Sequence, residues 1–342
     1  MRHLGLTLPA LSHRGFETHL LAFGSRISPF FLSEMSGIAL EYHPIRRNPA
    51  CVVLDAIPLI RGMVERIHPD IVFLHSFVAG VAGRLALSGA ESPRVVYVPH
   101  AFSWHRPQPL WRRWLVHGIE RALAGRCDGF MCVGPGDVQD AVELGVPDEK
   151  IFLCPNGLPD GVPFLERAEA RRQLEIPQDG VFGVFAARME RQKGLMTLLR
   201  AVRKSMEGDY GIKCFGEGAL KNRARRFIVK HELNEKVSFF HEVEHLWSCF
   251  RAFDFLVMPS YYEGSSYAVL EAEAAGIPVI MADIPSAPDN AVLFPVGDSE
   301  ALADILRRWP QNACRSRKEW RLPCLDEQIE RIIEMSRRLT VK

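Results

Sequence analysis

No run of apolar residues in the 342-residue chain approaches the roughly 20 needed to cross a bilayer as a helix, so no membrane-spanning segment is expected. Net charge is almost absent as well. The balance of 42 Lys and Arg against 41 Asp and Glu leaves +1, which removes the basic footprint of a nucleic-acid-binding protein. The eight cysteines include no C-x-x-C pair, which argues against a zinc ribbon or a dithiol redox centre. Cys127, Cys132, Cys154 and Cys214 instead fall in or beside apolar strand-like runs, as reduced core thiols of a cytosolic protein do. Met1 to Ser12 has no long apolar core ahead of a small-residue cleavage site, so a signal peptide is not expected. There is no internal repeat and no low-complexity tract. No G-x-G-x-x-G follows a first strand, which weighs against a dinucleotide oxidoreductase. What is present is ordinary globular composition, 47% hydrophobic and 24% charged, in a length that suits two domains of about 150 residues each.

The most informative stretch is Pro259 to Asp283, PSYYEGSSYAVLEAEAAGIPVIMAD. The run Phe253 to Met258 before it has the length and make-up of a buried strand, ended by Pro259 and Ser260. Tyr261 to Ser266 is a loop containing Gly264. Ser265 and Ser266 are both able to cap the helix predicted over Tyr267 to Ala275. Gly276 suits a left-handed C-terminal position, and Pro278 blocks continuation. Val279 to Met281 is the next strand, completing a βαβ unit. A helix N-terminus at the carboxyl end of a parallel strand presents free N–H groups and the positive end of the dipole to an anion. Glu263 on the loop and Glu271 in the helix flank that point. Ionised carboxylates only accept hydrogen bonds, and vicinal hydroxyls donate to them, so the two acids suit a sugar and a ribose on either side of a diphosphate. The plainer alternative is a solvated Glu263 and a Glu271 paired with Lys or Arg.

The same strand–loop–helix grammar recurs along the chain. A helix ending near His13-Arg14-Gly15 precedes a strand over Thr18 to Phe23. A helix over Val53 to Ile67, a strand over Ile71 to Leu74, a helix over Val78 to Leu87 and a strand over Val95 to Val98 give the rhythm of a doubly wound sheet. His75 and His100 stand at strand ends, where sites collect, although a strand-end histidine also serves as a structural hydrogen-bonder. The helix Leu110 to Ala124 interleaves Trp111, Trp114, Leu115, Ile119 and Leu123 with Arg112, Arg113 and Arg121. It reads as a core-packed helix with a solvated basic side, or as a surface for an anionic membrane. Asp137 is placed as the cap of the helix running to Leu144. Leu158 to Phe164, with two prolines and a glycine, is a hinge. Beyond it a strand over Val181 to Ala186 leads into a loop carrying Arg188 and Lys193. Arg as a fork and Lys as a point charge are both able to reach a diphosphate there, or to remain solvated. The strand Ile212 to Phe215 runs into Gly216-Glu217-Gly218, where missing Cβ atoms permit close backbone approach. Helices are expected over Leu246 to Ala252, over Ser299 to Arg308 behind an Asp298 cap, and over Asp326 to Arg338.

Glu263 and Glu271 have the E-x7-E spacing of retaining glycosyltransferases of family 4. The whole window resembles that family's P-S-x-x-E-G-F-x-x-x-x-L-E-A-x-A-x-G-x-P-V-I signature, with Ser265 in place of the phenylalanine. Ala187 to Gly194 resembles its G-R-x-x-x-x-K-G, with Ala187 replacing the first glycine. Gly216-Glu217-Gly218 resembles its G-x-G turn, and Val96 to Phe102, VYVPHAF, the segment whose histidine faces the transferred sugar. The resemblance implies an α/β GT-B fold, two Rossmann-like doubly wound domains facing a cleft. Residues 1–160 would be the acceptor domain, 161–324 the nucleotide-sugar domain, and 325–342 a helix crossing back to the first. It also implies a first strand and a Gly-Gly loop ahead of the first helix. Neither is in the sequence, so an N-terminal truncation or a different construction of that domain is expected.

The activity so implied is retaining transfer of a sugar from a nucleotide-diphosphate sugar, a UDP-sugar by preference, to a hydroxyl of a glycan or lipid-linked acceptor. Surface polysaccharide or glycolipid synthesis is the expected setting, in the cytoplasm, with the helix at 110–124 available to an anionic membrane surface. No cofactor, no essential metal and no nucleic acid is expected. By the resemblance Glu263 grips sugar hydroxyls, Glu271 the ribose diol, and His100 faces the sugar. Arg188, Lys193 and the N–H groups after Ser265 meet the leaving diphosphate. Gly216, Gly218, Gly264, Ser265, Ser266 and Tyr267 complete the donor site. The alternative, motivated by the absent first strand, is a non-catalytic nucleotide-sugar-binding or scaffold homologue.

Overall fold

The computed structural model describes residues 2–24, 31, 35, 37–44, 49–89, 93–241, 243, 245–309 and 322–341. The chain divides into two compact units, Met1–Gly157 with Pro323–Lys342, and Leu158–Leu322.

In the first unit α1 (Arg2–His13) leads to β1 (His19–Gly24), which pairs in parallel with β2 (Ala39–Pro44). Then follow α2 (Pro49–Ile67), β3 (Ile71–His75), α3 (Ser76–Ala86), β4 (Arg94–Val98), α4 (Leu110–Leu123), β5 (Gly129–Cys132), α5 (Pro135–Glu143) and β6 (Ile151–Leu153). β3 to β6 form a parallel sheet in chain order. Alternate residues of β3 serve two cores. Val72 and Leu74 pack with Ala56 and Ile60 of α2, whereas Ile71 and Phe73 join the cluster on the opposite face. Apolar side chains on both faces are what a parallel sheet covered by helices requires. Among the described residues no strand precedes α1, and β1 and β3 each lie at a sheet edge.

α4 turns Val116, Glu120 and Leu123 inward, three residues spaced along one helical face. Glu120 is a buried anion. It accepts hydrogen bonds from the Tyr97 hydroxyl at 2.6 Å and from Arg84 Nη2 at 2.5 Å, while the Arg84 guanidinium lies 4.1 Å from the Tyr97 ring centroid. The inner face of α4 is thus core-packed, around an ion pair that no periodicity announces. Its first turns are not: Leu110, Trp111, Trp114 and Leu115 project outward, Trp111 68% and Trp114 72% exposed.

Asp137 is not a cap. The helix it belongs to begins at Pro135 behind Gly134, and Asp137 is its third residue. Proline fits the first helical position because its missing N–H would be unpaired there anyway.

The second unit contains α6 (Arg167–Gln173), β7 (Phe182–Ala186), α7 (Leu195–Lys204), β8 (Gly211–Phe215), α8 (Lys221–Lys230), β9 (Val237–Phe239), β10 (Phe255–Met258), α9 (Tyr267–Ala275), β11 (Val279–Ala282), β12 (Val292–Phe294) and α10 (Ser299–Arg307). Its sheet is wholly parallel, in the order β12-β11-β10-β7-β8-β9. Every residue of β10 and β11 is buried. From β7 the chain winds outward to β9, then returns to the other side of β7 as β10. The carboxyl ends of β7 and β10 therefore flank the switch point at which open α/β sheets bind ligands. Leu246–Ala252 is a 3-10 segment rather than an α-helix, with three-residue bonds at both ends, Ser248 N to His245 O and Phe253 N to Phe250 O. Asp298 caps α10, accepting from the N–H groups of Glu300 and Ala301.

The last helix, α11 (Leu325–Thr340), belongs to the first unit. Its Gln328 Oε1 accepts from Gly157 N at 2.9 Å, and its Asp326 pairs with Arg14 at 2.7 Å. Among the described residues no helix is long and apolar enough to cross a membrane, and the seven described cysteines are free thiols. Burial pushes Cys127, Cys154 and Cys214 up to about 12, away from thiolate chemistry.

Candidate active site

Two loops of the second unit are stitched together above the switch point. Tyr261 N donates to Gln192 O at 2.8 Å, and Gln192 Nε2 donates to Tyr262 O at 3.2 Å. Gly194 makes the approach possible. It has φ 68°, and a Cβ there would lie 1.8 Å from the Pro259 carbonyl oxygen. So joined, the loops bring Lys193 Nζ to 2.6 Å from Glu263 Oε1, the two side chains being only 15% and 8% exposed. A cation and an acid 70 positions apart form one nearly dry pair.

The loop after β8 lies against the same structure. Met189 N donates to Glu217 O and Leu220 N to Met189 O, both at 2.8 Å. Gly216 and Gly218 are the price of that proximity: a Cβ would stand 2.2 Å from Ala187 O and 2.6 Å from Met189 O. From Glu263 the chain passes through Gly264 and Ser265 to Ser266, which occupies the N-cap of α9. Its side chain makes no capping bond there; the expected hydroxyl caps do not extend to it. The Ser266 carbonyl takes the N–H groups of Val269 and Leu270. Tyr267 begins the helix, Glu271 is buried in its second turn, and Gly276 ends it at φ 77°.

Arg188 behaves differently. It is 64% exposed and its Nη1 pairs with Glu190 at 3.2 Å. The structure does not bring it to the Lys193–Glu263 pair.

In the first unit the carboxyl ends of β3, β4 and β6 converge with the start of α1. His75 Nδ1 and His100 Nε2 share a 2.9 Å hydrogen bond with their rings stacked, and the His3 ring lies 4.9 Å from that of His100. His3 Nδ1 bonds to Asn156 Oδ1 at 2.9 Å. Burial pushes His3 down to about 4. It takes His75 and His100 well below the usual histidine range, with His3 adding to their depression. His100 and Ala101 are both left-handed, at φ 50° and 70°. Asp137 holds this turn, accepting from Ala101 N at 3.0 Å and from Val133 N at 3.2 Å. Burial raises the Asp137 carboxyl to about 7 against those two donors. Sequence reasoning singled out His75 and His100 from their strand-end positions. It missed His3, whose importance comes from contacts distant in the chain, and it read Asp137 as a helix cap rather than as the acceptor that holds the Ala101 turn.

Two family profiles cover nearly all of the chain. Glycosyltransferase Family 4 matches residues 2–160, and Glycosyl transferases group 1 matches residues 166–321. An uncharacterized 41.2 kDa protein from the cps region of Klebsiella pneumoniae is 27% identical over 232 residues, covering 64% of this chain and 62% of its own. The UDP-Gal:alpha-D-GlcNAc-diphosphoundecaprenol alpha-1,3-galactosyltransferase of Escherichia coli is 26% identical over 224 residues, 63% of this chain and 58% of that protein. The chain thus spans about six tenths of the length of these curated relatives. Among solved structures, the Anabaena protein HepE in complex with UDP and glucose superposes with a TM-score of 0.76 at 17% identity, over 97% of this chain and 94% of that one. The parallel sheets, the glycine-lined loops at the switch point and the two adjoining profiles have one common explanation: this chain belongs to glycosyltransferase family 4 and has the GT-B fold.

Proposed function

We propose that the protein transfers a sugar, with retention of configuration, from a UDP-sugar to a hydroxyl of a glycan or lipid-linked acceptor in surface-polysaccharide synthesis. The observation that carries this reading is the 2.6 Å contact of Lys193 with Glu263 at the switch point, directly ahead of the α9 N-terminus. Three kinds of group that a sugar diphosphate needs are adjacent there: a carboxylate for sugar hydroxyls, an ammonium for phosphate, and helix N–H groups for the same charge. The named activity of the E. coli relative, the cps setting of the Klebsiella one and the UDP and glucose bound to HepE support the donor and acceptor classes.

In this reading Glu263 grips the sugar, Glu271 the ribose diol, and His100 contacts the transferred sugar. Gly216 and Gly218 let the backbone approach the nucleotide. Cleavage of the sugar carbon–oxygen bond passes through an oxocarbenium-like state while negative charge grows on the diphosphate. Lys193, the N–H groups at Gly264 to Tyr267 and an Arg188 swung away from Glu190 receive that charge. The acceptor hydroxyl attacks from the leaving-group face and passes its proton to the departing phosphate. Transfer proceeds without a metal ion, so turnover persists in EDTA.

The exposed turns of α4 dock on an anionic membrane surface, where a lipid-linked acceptor would reside. Trp111 and Trp114 enter the interface, and Arg112 and Arg113, exposed on the same turns, meet lipid phosphates. Sedimentation with vesicles tests this: binding to phosphatidylglycerol vesicles should be lost in Trp111→Ser/Trp114→Ser. For the reaction, the test is a thermal-shift panel of UDP-, GDP- and ADP-sugars, followed by an assay for released nucleotide. A ligand that binds only the folded state raises the melting temperature. Stabilisation by UDP-sugars with release of UDP is the expected result, and indifference to every nucleotide-sugar would refute it.

A further inference from the structure

We infer that His3, His75 and His100 form a binding site for one transition-metal ion of the zinc class. Each imidazole offers one ring nitrogen, and these three atoms lie within 4.8 Å of one another. Zinc–nitrogen bonds of about 2.0–2.1 Å in a tetrahedral site put neighbouring donors about 3.3 Å apart, so the rings need only small shifts to close on an ion. His75 Nδ1 and His100 Nε2, already 2.9 Å apart, would exchange the proton between them for the metal.

The tautomers suit this use. The Asn156 amide oxygen, which only accepts, is the nearer partner of His3 Nδ1 at 2.9 Å, and this favours the hydrogen on Nδ1 and the lone pair on Nε2. Such an outer hydrogen bond is what orients a metal-binding imidazole and raises its basicity. Gln328 Nε2 lies 3.3 Å from His3 Nδ1 and 3.4 Å from the Asn156 oxygen, and with the hydrogen on Nδ1 it donates to that oxygen.

The surroundings are built for the cluster. Ser76, His100 and Ala101 are non-glycine residues at φ 72°, 50° and 70°, so the chain is left-handed beside His75 and at His100. Conformations of this kind persist where the rest of the structure enforces them. Asp137 does so at Ala101. His3 is buried, while His75 and His100 keep part of their surface accessible. Three protein donors would hold the ion, which would complete a tetrahedral shell with water or an anion as zinc does in an open site.

Three neutral imidazoles with no carboxylate or thiolate among them select borderline ions such as zinc, cobalt or copper. They discriminate against calcium and magnesium, which prefer oxygen. The inference does not rest on the transfer reaction. Should that reaction hold as well, an ion on His100 would withdraw it from the sugar, and zinc would inhibit turnover where magnesium does not.

Binding is measured on the full chain without a histidine tag, stripped with a chelator. Zinc is titrated against a chromophoric competitor, and cobalt is followed by its visible absorption. One ion per chain is expected, with the cobalt band intensity of a four-coordinate site. His75→Ala and His100→Gln should each abolish it, and Asn156→Ala should weaken it by roughly 10–100-fold. Excess magnesium should leave it unchanged. No zinc uptake by the wild-type chain, the result for a hydrogen-bonded cluster alone, would overturn the inference. Uptake unaltered in both histidine variants would overturn it equally. If either variant loses its native circular dichroism, the imidazole nitrogen shifts of the wild-type protein decide: zinc must move those of His3, His75 and His100.

Discussion

Replacing Lys193 by alanine removes two things at once, and the structure allows them to be separated. The first is a cation aimed at the site of developing negative charge. Loss of one such preorganised group typically costs 10²–10³ in kcat, about 3–4 kcal/mol. The second is the partner of Glu263, whose side chain is 8% exposed and 2.6 Å away. Breaking a fully buried pair costs about 3–5 kcal/mol of stability, and the 15% exposure of Lys193 reduces this to roughly 1–3. Lys193→Ala should therefore lower both the urea midpoint and turnover. Adding Glu263→Gln neutralises the stranded carboxylate at nearly constant shape, so the double variant should regain most of the lost stability and none of the lost activity. The assays are equilibrium urea unfolding and UDP release at saturating donor. Turnover in Lys193→Ala within about threefold of wild type would refute the reasoning. So would a double variant that recovers activity together with stability, since Lys193 would then serve only to neutralise Glu263.

Gly194→Ala places a Cβ at 1.8 Å from the Pro259 carbonyl in a left-handed residue, forcing the two site loops apart. It should abolish the thermal shift given by donor, and an unchanged shift would count against the stitched-loop geometry. Glu120→Ala strands the buried Arg84 guanidinium and should cost about 3–5 kcal/mol in urea unfolding, whereas Arg84→Met/Glu120→Leu should recover much of it; a loss below about 1 kcal/mol in the single variant would show the pair to be dispensable. Asp137, raised from 3.8 to about 7 on folding, binds its proton more tightly in the native state. Stability from this group is therefore full below pH 4 and declines as pH rises through 7, by an amount on the order of a few kcal/mol. The difference in unfolding free energy between wild type and Asp137→Asn should change across that interval, and a constant difference would contradict the raised value.

Much of the second unit was legible because its signals are local. β10, α9 and β11 lie within one window, where a four-residue apolar run, a polar loop, Gly276 and Pro278 each have a single structural reading. Asp298 was readable as a cap for the same reason. Residues whose roles depend on distant contacts were not. Nothing near Glu120 distinguishes it from a solvated acid on a basic helix; only the approach of Tyr97 and Arg84 does. His3 acquires meaning through Asn156, 153 positions away. β2 and β12 escaped notice because both are sheet-edge strands, only partly buried, with weak hydrophobic contrast. The Ser265–Ser266 pair shows the limit of a propensity argument. Both residues favour an N-cap, and Ser266 takes that position, yet its hydroxyl makes no capping bond.

Arg188 and Lys193 carry like charges on one loop, but the fold prepares only one of them. Lys193 ends a 3-10 turn (Arg191–Lys193) fixed by Gly194 behind it and by the Gln192 bonds to the neighbouring loop. Its ammonium is held in place before donor arrives. Arg188, two-thirds exposed and paired with a glutamate two residues away, gains little from that partner and must reorganise on binding. Preorganised charge acts on the transition state, whereas a group that orders with the ligand spends part of its interaction on ordering. Arg188→Ala should therefore act mainly on donor affinity, with an effect that shrinks as salt screens the exposed charge. Lys193→Ala should act mainly on kcat and respond less to salt. Steady-state kinetics at low and high ionic strength separate the two. An Arg188→Ala defect confined to kcat and indifferent to salt would mean that Arg188 is already in place when the donor binds.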